Sequence, residues 1–382
     1  MSPELESVDL LLAGGGTGGH TVAATVIADL ARDLGHQVAW AARPDSYESK
    51  VAAENQIRFL PQPAYRLRPR NVPQLAAAVL QARRLVRRLR PRLVVTTGSW
   101  VCLPVALAAR WAQVPLVVHE QTLAPGSATT WLSRWAAETW LTYADSAAGF
   151  PASARLVQTG FPLRPALRQV LSRAQALARF DLADQPTLFV AGGGSGAESL
   201  NAYLDRHLPE LLPVWQIIHQ TGAAAGLTTT AERLRARRAD LPEALRQRYY
   251  LDQYFEAERV NAALRGSSLV LGRAGAGFVN EVAQLGRQAV LVPYPHSAKG
   301  EQEALAQALA ATGRVVVWDD ADLRHDDPAK LARLLDWTEL EPTGAASPVL
   351  TTAQSVERLT ERLAHFLPPA EPGEPPAGRP RG

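Results

Sequence analysis

Short apolar runs alternate with amphipathic stretches along almost the whole chain, and twice an apolar run breaks into a glycine-rich turn that opens a helical segment. The first is LLLAGGGTGGHTVAATVIADL at residues 10–30, and TLFVAGGGSGAESLN repeats the device at 187–201. Strands that are apolar on both faces need cover on both, so the alternation points to parallel sheets flanked by helices. The pattern predicts strands over 8–13, 37–42, 93–97, 116–119, 187–191, 215–219, 268–271 and 289–293. Helices are expected over 21–34, 73–89, 104–111, 197–207, 278–285 and 301–311. Pro73 and Pro104 then fall in a first turn, where a missing N–H is no loss.

A chain of 382 residues is long enough for two domains, and the repeated turn suggests two similar α/β halves facing each other across a cleft. TGFPLRPAL at 159–167 reads as the linker, which places domains at 1–163 and 164–347. A last helix within 348–367 carries Val356, Leu359, Leu363 and Phe366 on one face. The ending PPAEPGEPPAGRPRG, 368–382, cannot bury a core and is expected to be disordered. Ligands of doubly wound sheets bind beyond the carboxyl ends of the strands, so the cleft is where a site belongs.

Composition narrows the function. With 47% hydrophobic and 20% charged residues and a net charge of +3, the chain is an ordinary globular protein with no reason to bind nucleic acid. The single cysteine, Cys102, excludes an intramolecular disulfide and a multi-cysteine metal site. The acidic start MSPELESVD lacks the cationic lead of a secretory signal. No apolar run approaches the ~20 residues that span a bilayer. A cytoplasmic location is expected, with no cofactor and no metal.

Gly14, Gly16 and Gly19 fit G-x-G-x-x-G, a fingerprint that also wants an acid at the end of the second strand. Ala42 and Arg43 occupy that region and Asp45 lies beyond it, which leaves an NADP reading through Arg43 open. His20, in the first turn of the following helix, can donate to a phosphate, take a proton from a hydroxyl, or cap local backbone. A third cluster, SSLVLGRAGAGFVNEVAQLG at 267–286, runs from strand through glycine turn to helix. There Gly275, Ala276, Gly277 and Phe278 would offer backbone N–H groups to a diphosphate, with Arg273 as a charge partner. Glu281, about one turn further, can accept from both vicinal hydroxyls of a ribose, or be an ordinary surface-helix glutamate.

GGGTGGH (14–20), HEQ followed by PG (119–126), HQTG (219–222), RAGAG through Glu281, and VPYPH (292–296) occur in an order that resembles glycosyltransferase family 28. The likeness is to its peptidoglycan members, which move N-acetylglucosamine from UDP-N-acetylglucosamine onto lipid I, and it covers about 8–367. It implies an α/β fold of the GT-B type, two Rossmann-like doubly wound domains facing across a cleft, with the C-terminal helix returning to the first domain. It implies a UDP-sugar site made by Arg164, Gly194, Ser195, Arg273, Gly275, Ala276, Gly277 and Phe278, with Glu281 on the ribose. The backbone near Tyr254 and Phe255 would face the uracil, and Gln302 the sugar hydroxyls. On the acceptor side, Thr17, Gly18, Gly19 and His20 would receive a polyprenyl-linked pyrophosphate, with His119, Glu120, Gln121 and Thr122 lining the cleft. Trp100, just after TTGS, either lines that cleft or belongs to the core.

The chain departs from the family pattern in places. Thr122 stands where asparagine usually follows HEQ, Phe161 turns GNP into GFP, Gly194-Ser195 replaces a serine–glutamine pair, and Leu305 takes the place of an asparagine. Ala23 and Ala24 occupy the region where a proline usually follows the histidine. Inverting transfer is expected, with His20 as the base because a neutral imidazole accepts a proton, or Glu120 in its stead. Residues 65–92 gather Arg83, Arg84, Arg87, Arg88, Arg90 and Arg92 beside Leu75, Val79, Leu80, Leu85, Val86 and Leu89. That stretch suits either an anionic membrane surface or a helix packed on the sheet with its basic face in water. Together these readings place the protein peripherally on the inner face of the cell membrane, with cell-wall proteins as further partners. The alternatives are a GT-B transferase for another lipid acceptor, a UDP-sugar epimerase on the same scaffold, and a weakly active UDP-sugar-binding scaffold protein.

Overall fold

A computed structural model describes residues 7–368 except 17, 67, 194–195, 223–227, 298–299, 325–326, 339–343 and 345–346. The expected tail therefore lies, but for Pro368, outside the described residues. The chain divides into two compact units, Met1–Pro162 with Val349–Gly382, and Leu163–Pro348.

The first unit holds strands β1 (Leu10–Ala13), β2 (Val38–Ala42), β3 (Arg58–Pro61), β4 (Leu93–Thr96), β5 (Leu116–Glu120), β6 (Glu138–Leu141) and β7 (Leu156–Gln158). They lie in the order β3-β2-β1-β4-β5-β6-β7, and every pair is parallel. The second unit holds β8 (Thr187–Ala191), β9 (Gln216–Gln220), β10 (Tyr249–Asp252), β11 (Leu269–Arg273), β12 (Ala289–Val292) and β13 (Val315–Val317), ordered β10-β9-β8-β11-β12-β13. Both are doubly wound orders that reverse direction beside the first strand, β1 or β8, which is where such sheets open a crevice for ligands.

All eight strands expected from the sequence are present within a few residues. The five that the pattern missed, β3, β6, β7, β10 and β13, have three or four residues each and lie at or next to a sheet edge. β6, for example, is ETWL and shows no apolar run to read, whereas β13 is VVV, a run of only three residues at the edge.

In the first unit α1 (Gly18–Asp33), α2 (Tyr47–Glu54), α3 (Val72–Leu89), α4 (Leu103–Trp111) and α5 (Ser127–Leu132) cover the sheet. The second unit carries α6 (Pro165–Arg168), α7 (Arg173–Ala178), α8 (Glu198–Leu211), α9 (Thr228–Ala239), α10 (Glu243–Arg246) and α11 (Ala257–Gly266). It continues with α12 (Ala276–Gln284), α13 (Glu301–Ala310), α14 (Pro328–Ala332) and α15 (Leu334–Thr338). The final helix, α16 (Thr352–Phe366), packs in the first unit against α1. A capping box between Thr351 and Gln354 starts it. Leu359 and Leu363 are buried with β1 and α1 residues such as Leu10 and Ile27, each contributing about 2 kcal/mol. Polar ties complete the seam: Arg362 pairs with buried Glu138, and His36 Nε2 lies 3.0 Å from the Leu367 carbonyl.

Candidate active site

In the first unit, candidate residues gather at the carboxyl ends of β1, β4 and β5. Gly14, Gly15 and Gly16 follow β1 at φ of 144°, 141° and 92°, conformations that only glycine adopts freely. A Cβ on Gly14 would lie 2.5 Å from Thr97 Oγ1, so the turn needs its glycine for close approach as well. Thr17 lies outside the described residues; Gly18, Gly19 and His20 open α1. The turn is not an empty phosphate cradle, because the Gly16 N–H donates to the buried carboxylate of Glu48 from α2. An anion arriving here is left with the first amides of α1, whose positive dipole end favours it.

His20 is held by an ordered chain of side chains. Its Nδ1 lies 2.6 Å from Gln121 Oε1, an oxygen that only accepts, so Nδ1 carries the proton. Gln121 Nε2 in turn donates to His119 Nδ1 at 2.8 Å and to the His119 carbonyl at 2.7 Å, which sets the amide's orientation. His119 Nε2–H then donates to the Gly160 carbonyl at 3.2 Å. Starting from that carbonyl, each bond sets the next, and the lone pair of neutral His20 ends on Nε2. Gly98, at φ 91°, leaves room for the ring: a Cβ there would lie 3.2 Å from His20 Cε1. The adjoining Ser99 has φ 68°, a strained conformation for a side chain, of the kind that clusters at functional sites.

His119 is fully buried, and burial drives its pKa down to about 4 despite the Gly160 carbonyl; a positive charge on both His119 and His20 would be mutually repulsive. In the second unit His219 is pushed down to about 3 by burial, with Nδ1 2.9 Å from Tyr249 Oη and Nε2 3.0 Å from Asn201 Oδ1. HQTG is thus a structural tie that joins the end of β9 to α8 and β10. Both histidines are neutral in the fold and protonate near 6.5 once unfolded, so the unfolded chain binds more protons as pH falls. Stability contributed by each is complete above about pH 6.5 and shrinks by about 2 kcal/mol at pH 5. Urea unfolding followed by tryptophan fluorescence should show lower midpoints at pH 5 than at pH 7, and equal midpoints would refute the neutral assignment.

Glu120 corrects an expectation. Its Oε1 accepts from Thr122 N–H at 3.0 Å and lies 2.8 Å from Thr122 Oγ1, while Oε2 accepts from Gly126 N–H at 3.1 Å. The carboxylate is buried and closes the 121–126 loop, so it is not placed as a base, and Thr122 is a loop tie rather than an acceptor contact. Phe161 sets its edge toward the His119 ring at 5.9 Å. Trp100 is half-buried between two apolar clusters, with Arg43 5.6 Å from its ring centroid and Arg66 5.9 Å away.

In the second unit β11 runs through Gly272 and Arg273, so the turn is shorter than the glycine cluster suggested. A Cβ on Gly272 would lie 2.4 Å from the Phe278 ring, so glycine lets that ring lie on the strand. Gly275 caps α12, and the first intrahelical bond there is Val279 N–H to Gly275 O at 2.9 Å. The amides of Ala276, Gly277 and Phe278 precede it and have no partner among the described residues, the arrangement that binds anions.

Glu281, one turn on, is buried and faces Arg164, whose Nη2 and Nε lie 2.8 and 2.9 Å from the same Oε1. That geometry leaves Oε2 for a ligand. Burial raises its pKa and Arg164 pulls it back.

Arg273 is placed differently from the expectation. It bonds Asp320 at 2.5 Å, Ser199 Oγ at 2.7 Å and the carbonyls of Val292 and Pro293. With its charge already answered, it braces the ends of β11 and β12 and is no free partner for a diphosphate. Phe255 is a core ring stacked on Phe189 at 6.2 Å, and Tyr254 beside it is half-buried. Gln302, second in α13, accepts from Tyr294 N–H at 2.9 Å through Oε1. Gly194 and Ser195 lie outside the described residues.

The sequence reading missed Glu48, Asn201, Ser199 and Asp320. Only Ser199 and Asn201, which follow the second glycine turn, carried any local signal.

Residues 10–140 match the glycosyltransferase family 28 N-terminal domain, and 187–362 match the glycosyltransferase family 28 C-terminal domain. A relative from Desulforudis audaxviator, a UDP-N-acetylglucosamine–N-acetylmuramyl-(pentapeptide) pyrophosphoryl-undecaprenol N-acetylglucosamine transferase, is 33% identical over 85% of this chain and 92% of its own length. The crystal structure of Acinetobacter baumannii MurG is similar with a TM-score of 0.64 and 26% identity, covering 94% of this chain and 98% of that one. A UDP-N-acetylglucosamine 2-epimerase from Neisseria meningitidis, solved bound to UDP-GlcNAc, shares the fold alone, at TM-score 0.62 and 15% identity over 94% of this chain and all of that one. Two family domains in order along one chain, on two doubly wound sheets of the GT-B class, leave a single conclusion: this chain belongs to glycosyltransferase family 28.

Proposed function

We propose that this chain transfers N-acetylglucosamine from UDP-N-acetylglucosamine to the muramoyl-peptide of a polyprenyl-pyrophosphate-linked acceptor, lipid I, to form lipid II in peptidoglycan synthesis. The observation that carries this reading is the α12 terminus, where three amides and one oxygen of a buried carboxylate one turn away have no partner among the described residues. The amides take the diphosphate and Glu281 Oε2 the ribose hydroxyls. Gln302 uses its oxygen on backbone, so its NH2 is left to donate to the sugar.

In the first unit, the α1 amides receive the acceptor pyrophosphate and His20 Nε2 accepts the proton of the attacking hydroxyl. That oxygen forms its bond to the anomeric carbon as the carbon–oxygen bond to UDP breaks, with inversion. The electron pair leaves on UDP, where the α12 amides meet it. His20 becomes an imidazolium whose Nδ1–H already points at the Gln121 carbonyl oxygen.

A lipid acceptor calls for a membrane surface. Among the described residues no helix is long and apolar enough to cross one. On α3, Ala78, Val79, Ala82, Val86 and Leu89 pack inward, while Leu80 and the arginines at 83, 84, 87 and 88 stay exposed. Arg83 lies over exposed Trp111 of α4, and Arg110 over Trp135. A basic and aromatic surface of this kind suits anionic headgroups, and we place the protein peripherally on the inner membrane face.

The test is product formation from radiolabelled UDP-N-acetylglucosamine and lipid I, against a panel of other nucleotide sugars and lipid acceptors. Lipid II is the expected product. Turnover only with another lipid acceptor, epimerisation of the donor, or UDP-sugar binding without turnover would each overturn the reading.

A further inference from the structure

The second sheet has one end to which the UDP-sugar site is assigned and one unexplained. Opposite the carboxyl ends that carry the nucleotide residues, a cavity of about 450 Å³ opens among the segments that enter β8, β11 and β12. Arg173, Asp184, Ser268, Arg287, Gln288 and Thr338 are among its walls. All belong to one compact unit.

Among the described residues the charge there is predominantly positive. Arg173 and Arg287 line the cavity, and Arg265 and Arg314 stand close enough to act on Arg287. Burial first, and then the like charges of those three arginines, lower the pKa of Arg287 from its ordinary value. Among the described residues the one acid in the wall is Asp184, largely exposed, at 2.7 Å from Arg173 Nε, while Arg173 Nη2 donates to the Gln185 carbonyl at 2.6 Å. Arg287 donates through Nη2 to the Ser267 carbonyl, but its Nε–H is buried with no acceptor among the described residues. Converging guanidinium groups stay charged at any working pH and repel one another. An arrangement like this is relieved by an anion able to accept from planar N–H forks.

We propose that this cavity binds a small solute carrying two or more phosphate charges, at a site separate from the UDP-sugar site. The volume is that of a ligand pocket and exceeds the need of a single ion, so a diphosphate or a phosphorylated metabolite fits better than inorganic phosphate. The inference is independent of the sugar-transfer reading, since it uses none of the same residues.

Titration calorimetry with inorganic pyrophosphate, on full-length protein already saturated with UDP, tests it. Saturable binding should persist under UDP, and Arg173→Gln and Arg287→Gln should each weaken it roughly tenfold or more. Asp184→Asn should act in the opposite direction and tighten binding several-fold, because it frees Arg173 and removes a competing negative charge. Arg173 is half-exposed, so its variant reads the site even where Arg287→Gln lowers stability. Loss of pyrophosphate binding in the presence of UDP, or equal affinity in all three variants and the parent, would overturn the proposal.

Discussion

Replacing His20 with alanine should lower kcat by about 10²- to 10⁴-fold while leaving the Kd for UDP unchanged, the signature of a lost general base. The second half of that statement is the sharper one, because His20 belongs to the first unit and the proposed nucleotide site to the second. The relay behind the histidine makes a graded companion prediction. Gln121→Leu keeps the imidazole but removes both the acceptor for Nδ1–H and the donor to His119. The His20 ring is then free to exchange tautomers, and kcat should fall by roughly 10- to 100-fold with UDP affinity intact. Near-parental turnover in His20→Ala would remove it from the reaction.

The second large effect concerns Glu281. Two hydrogen bonds from ribose hydroxyls to a carboxylate are together worth about 3 kcal/mol, so Glu281→Gln should weaken UDP binding about 100-fold in calorimetry. The amide keeps the shape of the side chain, whereas alanine would also strand the Arg164 charge. Arg164→Ala gives a separate readout. Burial raises the Glu281 pKa and Arg164 opposes it, so losing the arginine lets the carboxyl protonate at higher pH. Only the ionised form accepts from both hydroxyls. UDP affinity in Arg164→Ala should therefore decline as pH falls, over a range where the parent protein still binds well. Unchanged affinity in Glu281→Gln would refute the ribose assignment.

What could be read in the sequence followed from how strongly each position is constrained. Central strands such as LLLA of β1 and TLFVA of β8 are buried on both faces, and their uniform apolar runs named them. Glycine turns were legible because Gly14, Gly15 and Gly16 answer a backbone demand that no other residue meets cheaply. Polar side chains were harder to read, because their roles depend on partners far along the chain. HEQ looked like three groups presented to a ligand. In the fold Glu120 ties its own loop, His119 and Gln121 orient His20, and only His20 keeps a nitrogen to offer. Arg273 was read as a phosphate partner because it neighbours the turn, but Asp320, far along the chain, takes its charge. Glu48 gave no sign at all, since contact between α2 and the first turn depends on tertiary packing that no local pattern encodes.

The central claim is that the second unit clasps UDP at the start of α12, and a crystal structure of the chain with UDP-N-acetylglucosamine tests it most directly. The account predicts a β-phosphate oxygen within hydrogen-bonding distance of the amides of Ala276, Gly277 and Phe278, and both ribose hydroxyls on Glu281 Oε2. Uridine bound anywhere else, with those amides still unpartnered, would contradict it.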